Sequence, residues 1–171
     1  MEIDLGPWSI RSWRAGDQDA LVRHADDREV WINLRDRFPH PYTAADARAW
    51  LRLVEETTPE TNFAIAVEGE AVGGVGITLN DDVFRRSAEI GYWLGRRFWG
   101  RGIATSVVAA MTDWAFTHLD VCRLYAGVFE WNPASARVLE RAGFVLEGRL
   151  CRSATKDGRT IDQFLYAIVR G

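Results

Sequence analysis

The sequence is poor in cysteine and has no long apolar run. Its two cysteines, Cys122 and Cys151, form no C-x-x-C pair and have no Cys/His ligand spacing. That count argues against a disulfide scaffold and a thiolate metal site, and it favours a reducing compartment, the cytoplasm. No apolar stretch has the length of a membrane span, and the acidic residues 1–4 do not resemble the start of a signal peptide. We therefore expect no metal and no membrane partner.

An excess of basic residues is also lacking. Lys and Arg total 21 against 24 Asp and Glu, which gives a formal net charge of -3. Domains that bind nucleic acid usually carry a basic excess, so nucleic acid is not an expected partner. Apolar residues make up 47% and charged residues 26%, the balance of an ordinary globular protein. This length predicts a single domain over residues 1–171.

What the sequence does contain is a mixture of strand and helix signals. Alternating apolar residues and turn residues predict seven strands, over residues 8–13, 63–67, 71–79, 87–94, 123–129, 144–153 and 160–169. Cap residues and apolar periodicity predict four helices, which begin near residues 17, 43, 102 and 132. The order predicts an α/β (α+β) domain in which two neighbouring parallel strands lie inside a mostly antiparallel sheet.

The strongest chemical signal lies at residues 99–105, where a strand is followed by a long helix. Gly100 and Gly102 allow the backbone to approach a ligand closely, and the first N–H groups of a helix have no intrahelical partner. Together with the helix dipole and three nearby arginines, these features predict a phosphate site. A tight strand-to-helix turn without a ligand is the alternative.

Two nucleotide-binding motifs are absent. The P-loop pattern G-x-x-x-x-G-K-[ST] does not occur anywhere in the chain. A dinucleotide fingerprint is only imitated, because Thr105 stands where the third glycine belongs and Asp120 precedes the strand that should end in an acidic residue. A dinucleotide-dependent oxidoreductase is therefore the weaker alternative.

Four segments carry a family resemblance: EIGYWL at 89–94, WGRGIA at 99–104, Asn132 with Ser135, and ERAGF at 140–144. In this order and spacing they resemble the GNAT acetyltransferase superfamily, and within it the RimJ/RimL branch of ribosomal-protein-alanine N-acetyltransferases. The resemblance extends over residues 8–169. It implies a seven-stranded mixed sheet flanked by helices, with splayed central parallel strands. The implied activity is acetyl transfer from acetyl-CoA to a primary amine by direct attack in a ternary complex.

The resemblance also implies where acetyl-CoA binds. The expected contacts are Trp93, Leu94, Trp99, Gly100, Arg101, Gly102, Ile103, Ala104, Thr105 and Asn132. The superfamily loop begins with Gln or Arg, whereas this chain has Trp99, and binding through backbone N–H groups should tolerate that change. The Leu94 N–H is expected to polarise the thioester carbonyl.

Glu89 and Ser135 are the catalytic residues that the resemblance implies. A protonated amine must lose a proton before it attacks, and Glu89 is expected to accept that proton, directly or through water. Leu139 occupies the place of the superfamily's usual Tyr acid, so Ser135 is expected to donate to the leaving thiolate. The alternative is that Asn132 and Ser135 only begin a helix.

Residues 31–42 fit no regular period and are expected to line the acceptor side. The expected contacts are Trp31, Asn33, Asp36, Phe38 and Tyr42, with Asp36 and His40 as reserve bases. Peptide N-termini, aminoglycosides, polyamines and amino-acid amines all fit this description. Two alternatives are a non-catalytic acyl-CoA-binding module and a small-molecule acetyltransferase, and a homodimer is the candidate assembly. His24 and His118 are predicted on helix surfaces.

Overall fold

The computed structural model describes residues 1–171. The eight strands are β1 (Glu2–Asp4), β2 (Trp8–Arg11), β3 (Asn62–Val67), β4 (Glu70–Leu79), β5 (Ser87–Leu94), β6 (Arg123–Phe129), β7 (Val145–Lys156) and β8 (Arg159–Val169). The five α-helices are α1 (Gln18–Ala25), α2 (Arg28–Trp31), α3 (Ala44–Glu56), α4 (Ile103–His118) and α5 (Pro133–Arg141). None of these helices has both the length and the apolar character that a membrane crossing requires.

The strands form one sheet in the order β1-β2-β3-β4-β5-β6-β8-β7. β5 and β6 pair in parallel, whereas the β1-β2, β2-β3, β3-β4, β6-β8 and β7-β8 pairs are antiparallel. The parallel register joins Ser87–Glu89 to Arg123–Tyr125, although both strands continue beyond it. The predicted mixed α/β class is confirmed. The sheet has eight strands rather than seven, because β1 is only three residues long and too short to show a period.

The start of α3 agrees with the sequence prediction, whereas α2 is a helix that the sequence does not predict. Thr43 and Asp46 form the predicted capping box, in which the Thr43 N–H donates to Asp46 at 2.8 Å and the Asp46 N–H donates to the Thr43 hydroxyl at 3.3 Å. α2 was not predicted, because its four residues span about one turn. Its N-cap is Asp27, whose carboxylate accepts the Glu29 N–H at 2.8 Å.

The chain divides into two compact units. The first contains Met1–Gly76 and Tyr92–Val107, and the second contains Ile77–Gly91 and Val108–Gly171. β1 to β3 and α1 to α3 thus belong to the first unit, and β6 to β8 and α5 belong to the second. The expectation of a single domain stays a prediction.

An aromatic cluster gives the first unit its shape around residues 31–42. Buried Leu21 and Ala25 of α1 pack with Tyr42 and Ala47, and aromatic rings from several elements cover them. Those partly buried rings are Trp13, Phe38, Trp50 and Trp93. Because each buried aromatic side chain removes a large apolar area from water, this cluster fixes a segment that has no regular secondary structure.

Candidate active site

The carboxyl end of β5 lies close against β4 in the first unit. A Cβ on Gly74 would stand 2.8 Å from Nε1 of Trp93, so only glycine leaves room for that indole. The Gly95 N–H then donates to the Val72 carbonyl at 2.8 Å. The Trp99 indole N–H donates to the Leu94 carbonyl at 2.7 Å. Trp99, the departure from the superfamily pattern, therefore ties the following loop to the end of β5.

Gly100 and Gly102 place left-handed backbone immediately before α4. Their φ angles are 75° and 79°, and a Cβ on either would meet no protein atom within 4 Å. Residues with a side chain are strained in this conformation even where space is open, which explains the glycines. The left-handed turns at these two positions are thus set by the backbone, while the Trp99 side chain holds the loop to the end of β5.

The first turn of α4 offers the amides that a phosphate needs. The Ser106 N–H donates to the Gly102 carbonyl at 3.2 Å, so the N–H groups of residues 103–105 precede the helical hydrogen-bond ladder. The positive end of the helix dipole lies at the same end of α4 as these N–H groups. The turn is anchored by Ile103, which is 2% exposed, and by the Trp8 indole, which donates to the Ser106 hydroxyl at 2.7 Å. This arrangement fits an anion.

The three arginines around the loop differ in their partners. Arg96 forms an ion pair with Asp27 at 2.9 Å. Arg101 lies over the Phe98 ring, with its guanidinium carbon 5.3 Å from the ring centroid, and Arg97 is exposed. Positive charge is therefore present beside the loop, but part of it has an acidic partner within the fold.

Glu89 lies on β5 within the second unit, opposite Tyr125 of β6. Its neighbours Ala88 and Ile90 are buried at 0% and 2% exposure, whereas Glu89 itself is half-buried. The Tyr125 hydroxyl is 3.3 Å from the Asn80 side chain. Glu89 is therefore a carboxylate in the interior of a sheet, not one at its solvent edge.

Asn132 and Ser135 lie at the start of α5. The Asn132 side-chain oxygen accepts the Ser135 N–H at 3.2 Å, and Pro133 occupies the first helical turn. Asn132 therefore caps α5, and its contact with the cofactor stays a prediction. Leu139 is completely buried, so the place of the usual Tyr acid is filled by a core residue.

The acceptor segment contains both exposed and buried members. Trp31 stacks on His40 with ring centroids 5.5 Å apart, and Asn33 donates to the Glu29 carbonyl at 3.1 Å. Asp36 is exposed. Trp31 and Asn33 are half-buried in the first unit, and His40 is exposed.

Phe38 and Tyr42 face the interior of that unit. Phe38 packs on Tyr42 and on Trp93 at centroid distances of 5.1 and 5.4 Å. Tyr42 is 5% exposed. Burial, helped by the nearby charge of Asp46, raises the pKa of Tyr42 to about 12. Trp93 thus connects the acceptor segment to the end of β5.

The structure distributes the expected site residues between the two units. Trp93 to Thr105 and the segment 31–42 belong to the first, and Glu89, Asn132 and Ser135 belong to the second. Nowhere in the chain do three His, Cys, Asp or Glu side chains group closely enough to hold a metal ion.

The prediction for His24 is wrong. His118 is exposed as expected, but His24 is 5% exposed and packs against the turn that precedes the glycine loop. Sequence reasoning missed it because the contact joins α1 to residues far along the chain, and no spacing within α1 indicates such a contact.

Known proteins agree with the GNAT resemblance over most of the chain. Residues 9–145 match the family described as acetyltransferase (GNAT) domain. The chain is 31% identical to the N-acetyltransferase p20 of Bacillus licheniformis over 95% of this chain and 92% of that protein. It is 25% identical to the L-amino acid N-acetyltransferase AaaT of Escherichia coli over 94% of this chain and 97% of that protein.

Solved structures agree. The RimJ protein of Mycobacterium smegmatis, in complex with CoA-disulfide, superposes with a TM-score of 0.84 at 29% identity, over 95% of this chain and 81% of that chain. The RimJ/RimL resemblance is thereby confirmed at the level of structural neighbours, and none of these relatives supports a non-catalytic module. The chain belongs to the GNAT acetyltransferase family and is an acetyltransferase that uses acetyl-CoA as its co-substrate.

Proposed function

We propose that the chain acetylates the α-amino group of a peptide N-terminus or an amino acid by direct attack on bound acetyl-CoA. The observation that carries this proposal is the pair of left-handed glycines, Gly100 and Gly102, at the start of α4. They leave amides beside a positive helix end, and that arrangement suits the diphosphate of CoA. The N–H groups of residues 100–105 are the proposed diphosphate contacts.

The proposed chemistry needs few side chains. The amine loses its proton to Glu89, directly or through a water molecule, and its lone pair then attacks the thioester carbonyl carbon. As the C–N bond forms, the carbonyl oxygen gains negative charge near the Leu94 N–H. The C–S bond breaks, and the thiolate receives a proton from the Ser135 hydroxyl, the proposed donor. The new amide nitrogen loses its second proton, which restores the Ser135 hydroxyl directly or through water. The products are an acetamide and CoA.

The charges of the acceptor region favour a single amine over a polyamine. Asp26 already accepts the Tyr42 N–H at 2.9 Å, and Asp27 pairs with Arg96. A polyamine carries several positive charges and needs several carboxylates, whereas one α-ammonium group needs one. Asp36 is the proposed contact for that group because its side chain is exposed to an incoming acceptor. Trp31, Asn33 and Phe38 are the other proposed acceptor contacts, and Tyr42 supports Phe38 from within the core.

A thiol-release assay tests the proposal. The chain is mixed with acetyl-CoA and, separately, with an alanine-starting tripeptide, free amino acids, spermidine and an aminoglycoside. We expect thiol release and a mass gain on the acceptor with the α-amines. The only lysine, Lys156, is 2% exposed, which limits a background from acetylation of the protein's own lysine. Release with spermidine alone would overturn the acceptor class, and tight binding without release for any amine would indicate an acyl-CoA-binding module.

We also propose a homodimer and a cytoplasmic location. β7 is the outermost strand of the sheet and exposes Val145, Leu146 and Leu150 at 64%, 53% and 41%. Exposed apolar side chains on an edge strand favour pairing with another chain, here a second copy. Sedimentation of the chain and of Leu146→Lys tests the dimer.

Both cysteines are free and Cys151 is exposed, which favours a reducing compartment.

A further inference from the structure

His24 of α1 lies against the turn that leads into the glycine loop. The Gly95 turn, residues Gly95–Phe98, begins one residue after β5 ends. A Cβ on Gly95 would stand 3.0 Å from the His24 Nδ1 and 3.1 Å from its Cβ, so the imidazole fills the space beside this glycine. On the same turn, the Phe98 ring meets the imidazole edge to face, with centroids 5.4 Å apart. His24 thus contacts both ends of the Gly95 turn.

A carboxylate on β4 fixes the orientation of this imidazole. The His24 Nε2 lies 2.7 Å from Oε1 of Glu70. Arg23 contacts the same oxygen at 2.6 Å. The bond to His24 is the main cause, ahead of Arg23, that holds the pKa of Glu70 below its usual range. Arg23 is exposed, whereas the His24 side chain is 4% exposed and contacts both Glu70 and the Gly95 turn.

The contact continues into the loop proposed for the diphosphate. The guanidinium carbon of Arg101 lies 5.3 Å from the centroid of the Phe98 ring. Arg101 stands between the two left-handed glycines, Gly100 and Gly102. An ordered Phe98 ring therefore gives the loop a fixed surface, and a loop ordered before binding loses less entropy when the ligand arrives.

We propose that His24 is a positioning residue for acetyl-CoA: held by Glu70, it orders the Gly95 turn and, through Phe98 and Arg101, the diphosphate loop. The inference rests on the proposed placement of the diphosphate. His24 touches neither the cofactor nor the acceptor in this account. Its loss should therefore weaken cofactor binding and leave the chemical step almost unchanged.

The test compares His24→Ala with Arg23→Ala. Both variants remove a partner of Glu70, but Arg23 is not part of the Gly95 turn contact. For His24→Ala we expect a dissociation constant for acetyl-CoA about tenfold higher by calorimetry, which corresponds to about 1.4 kcal/mol. The turnover number at saturating acetyl-CoA should stay within about twofold, so that the Michaelis constant carries the effect. His24→Gln, which can still donate to Glu70, should recover part of the affinity.

Hydrogen exchange without ligand provides a second readout. Amides of residues 98–105 should exchange faster in His24→Ala than in the unaltered chain, and Arg23→Ala should show no such change. If His24→Ala does not fold, Phe98→Leu removes the ring from the same contact and should give the same exchange and affinity changes.

The outcomes separate this inference from the proposed function. If the unaltered chain binds acetyl-CoA and folded His24→Ala binds it equally well, the positioning role is wrong. Equal losses for His24→Ala and Arg23→Ala would also overturn it, because the effect would then belong to Glu70. If the unaltered chain does not bind acetyl-CoA, the proposed function fails. The exchange measurement would still show whether His24 orders the turn.

Discussion

The glycine loop and the acceptor segment are built in opposite ways. Residues 99–105 owe their geometry to backbone conformation, with φ angles of 75° and 79° at Gly100 and Gly102 and open space around both. Residues 31–42 owe theirs to side chains, because the rings of Phe38 and Tyr42 are held by aromatic contacts. A loop that presents backbone N–H groups to its ligand tolerates a side-chain change such as Trp99 for Gln or Arg. A segment shaped by side-chain packing, such as residues 31–42, changes its shape with each residue. The cofactor region should thus be the more general one, and the acceptor region should set specificity.

The largest effect is expected when the backbone conformation of the glycine loop is altered. Gly102→Val places a β-branched residue at a φ of 79° and directs its side chain into the space proposed for the diphosphate. Forcing this conformation costs about 1–3 kcal/mol, and the side chain also blocks the approach of the ligand. We expect affinity for acetyl-CoA to fall more than about a hundredfold by calorimetry.

Gly158→Val is the matched control. Gly158 has a φ of 72° in the β7-β8 turn, and a Cβ there meets nothing within 4 Å. The two variants should lose similar stability, but only Gly102→Val should lose affinity. Unchanged binding by a folded Gly102→Val would reject the placement of the diphosphate.

The second effect tests the carboxylate inside the sheet. Glu89→Gln keeps the shape of a half-buried side chain but cannot accept a proton. General-base catalysis contributes about a hundredfold or more, so turnover should fall by about that factor while acetyl-CoA affinity is retained. Glu147→Gln, on the exposed pair with Arg123, serves as the control and should keep its turnover. Unaltered turnover of Glu89→Gln at every pH would assign the proton to another group or to water.

A smaller effect is expected at the start of α5. Ser135→Ala removes the hydroxyl but keeps the backbone N–H that donates to Asn132, so the helix cap survives. Because a CoA thiolate leaves readily by itself, turnover should fall by only about threefold to tenfold. Steady-state rates and calorimetry on the same preparation measure both quantities. Lost affinity with a preserved maximal rate would make Ser135 a binding residue and not an acid.

The smallest effect is expected in the acceptor segment, where the buried Tyr42 should make stability depend on pH. The folded state raises the pKa of Tyr42 to about 12, against about 10 in the unfolded chain. The unfolded state therefore ionises first, and stability should decline as the pH rises from about 10 towards 12. Urea unfolding at pH 8, 10 and 11 should show a shallower decline for Tyr42→Phe. Burial also raises the pKa of Tyr166, with help from its bond to Glu140, so some decline should persist. A Michaelis constant for the acceptor that rises in Tyr42→Phe would mean that the hydroxyl contacts substrate.

Local chemistry explains which parts could be predicted from the sequence. The capping box of Thr43 and Asp46, the glycine loop and the start of α5 at Asn132 are set by neighbouring residues, and each appears where the pattern indicates. The mixed sheet follows from the order of the elements. β1 and α2 escaped prediction because three and four residues carry no measurable period.

Long-range packing explains what could not be predicted. The burial of His24 depends on Gly95, Phe98 and Glu70, which lie far from it in the sequence. The interior position of Tyr42 depends likewise on α1 and on Phe38. Single-sequence patterns indicate that a residue is aromatic or titratable, but only the fold decides whether it faces a ligand or the core.

The most direct test of a diphosphate site made of backbone N–H groups is a titration of the ¹⁵N-labelled chain with acetyl-CoA, in which each amide signal is followed by NMR. We predict that the N–H signals of Gly102, Ile103, Ala104 and Thr105 shift together and saturate with one ligand, because phosphate oxygens accept from N–H groups at the start of α4. Gly158 and the rest of the β7-β8 turn should not move. Saturable binding that leaves the amides of residues 102–105 unshifted would contradict the account.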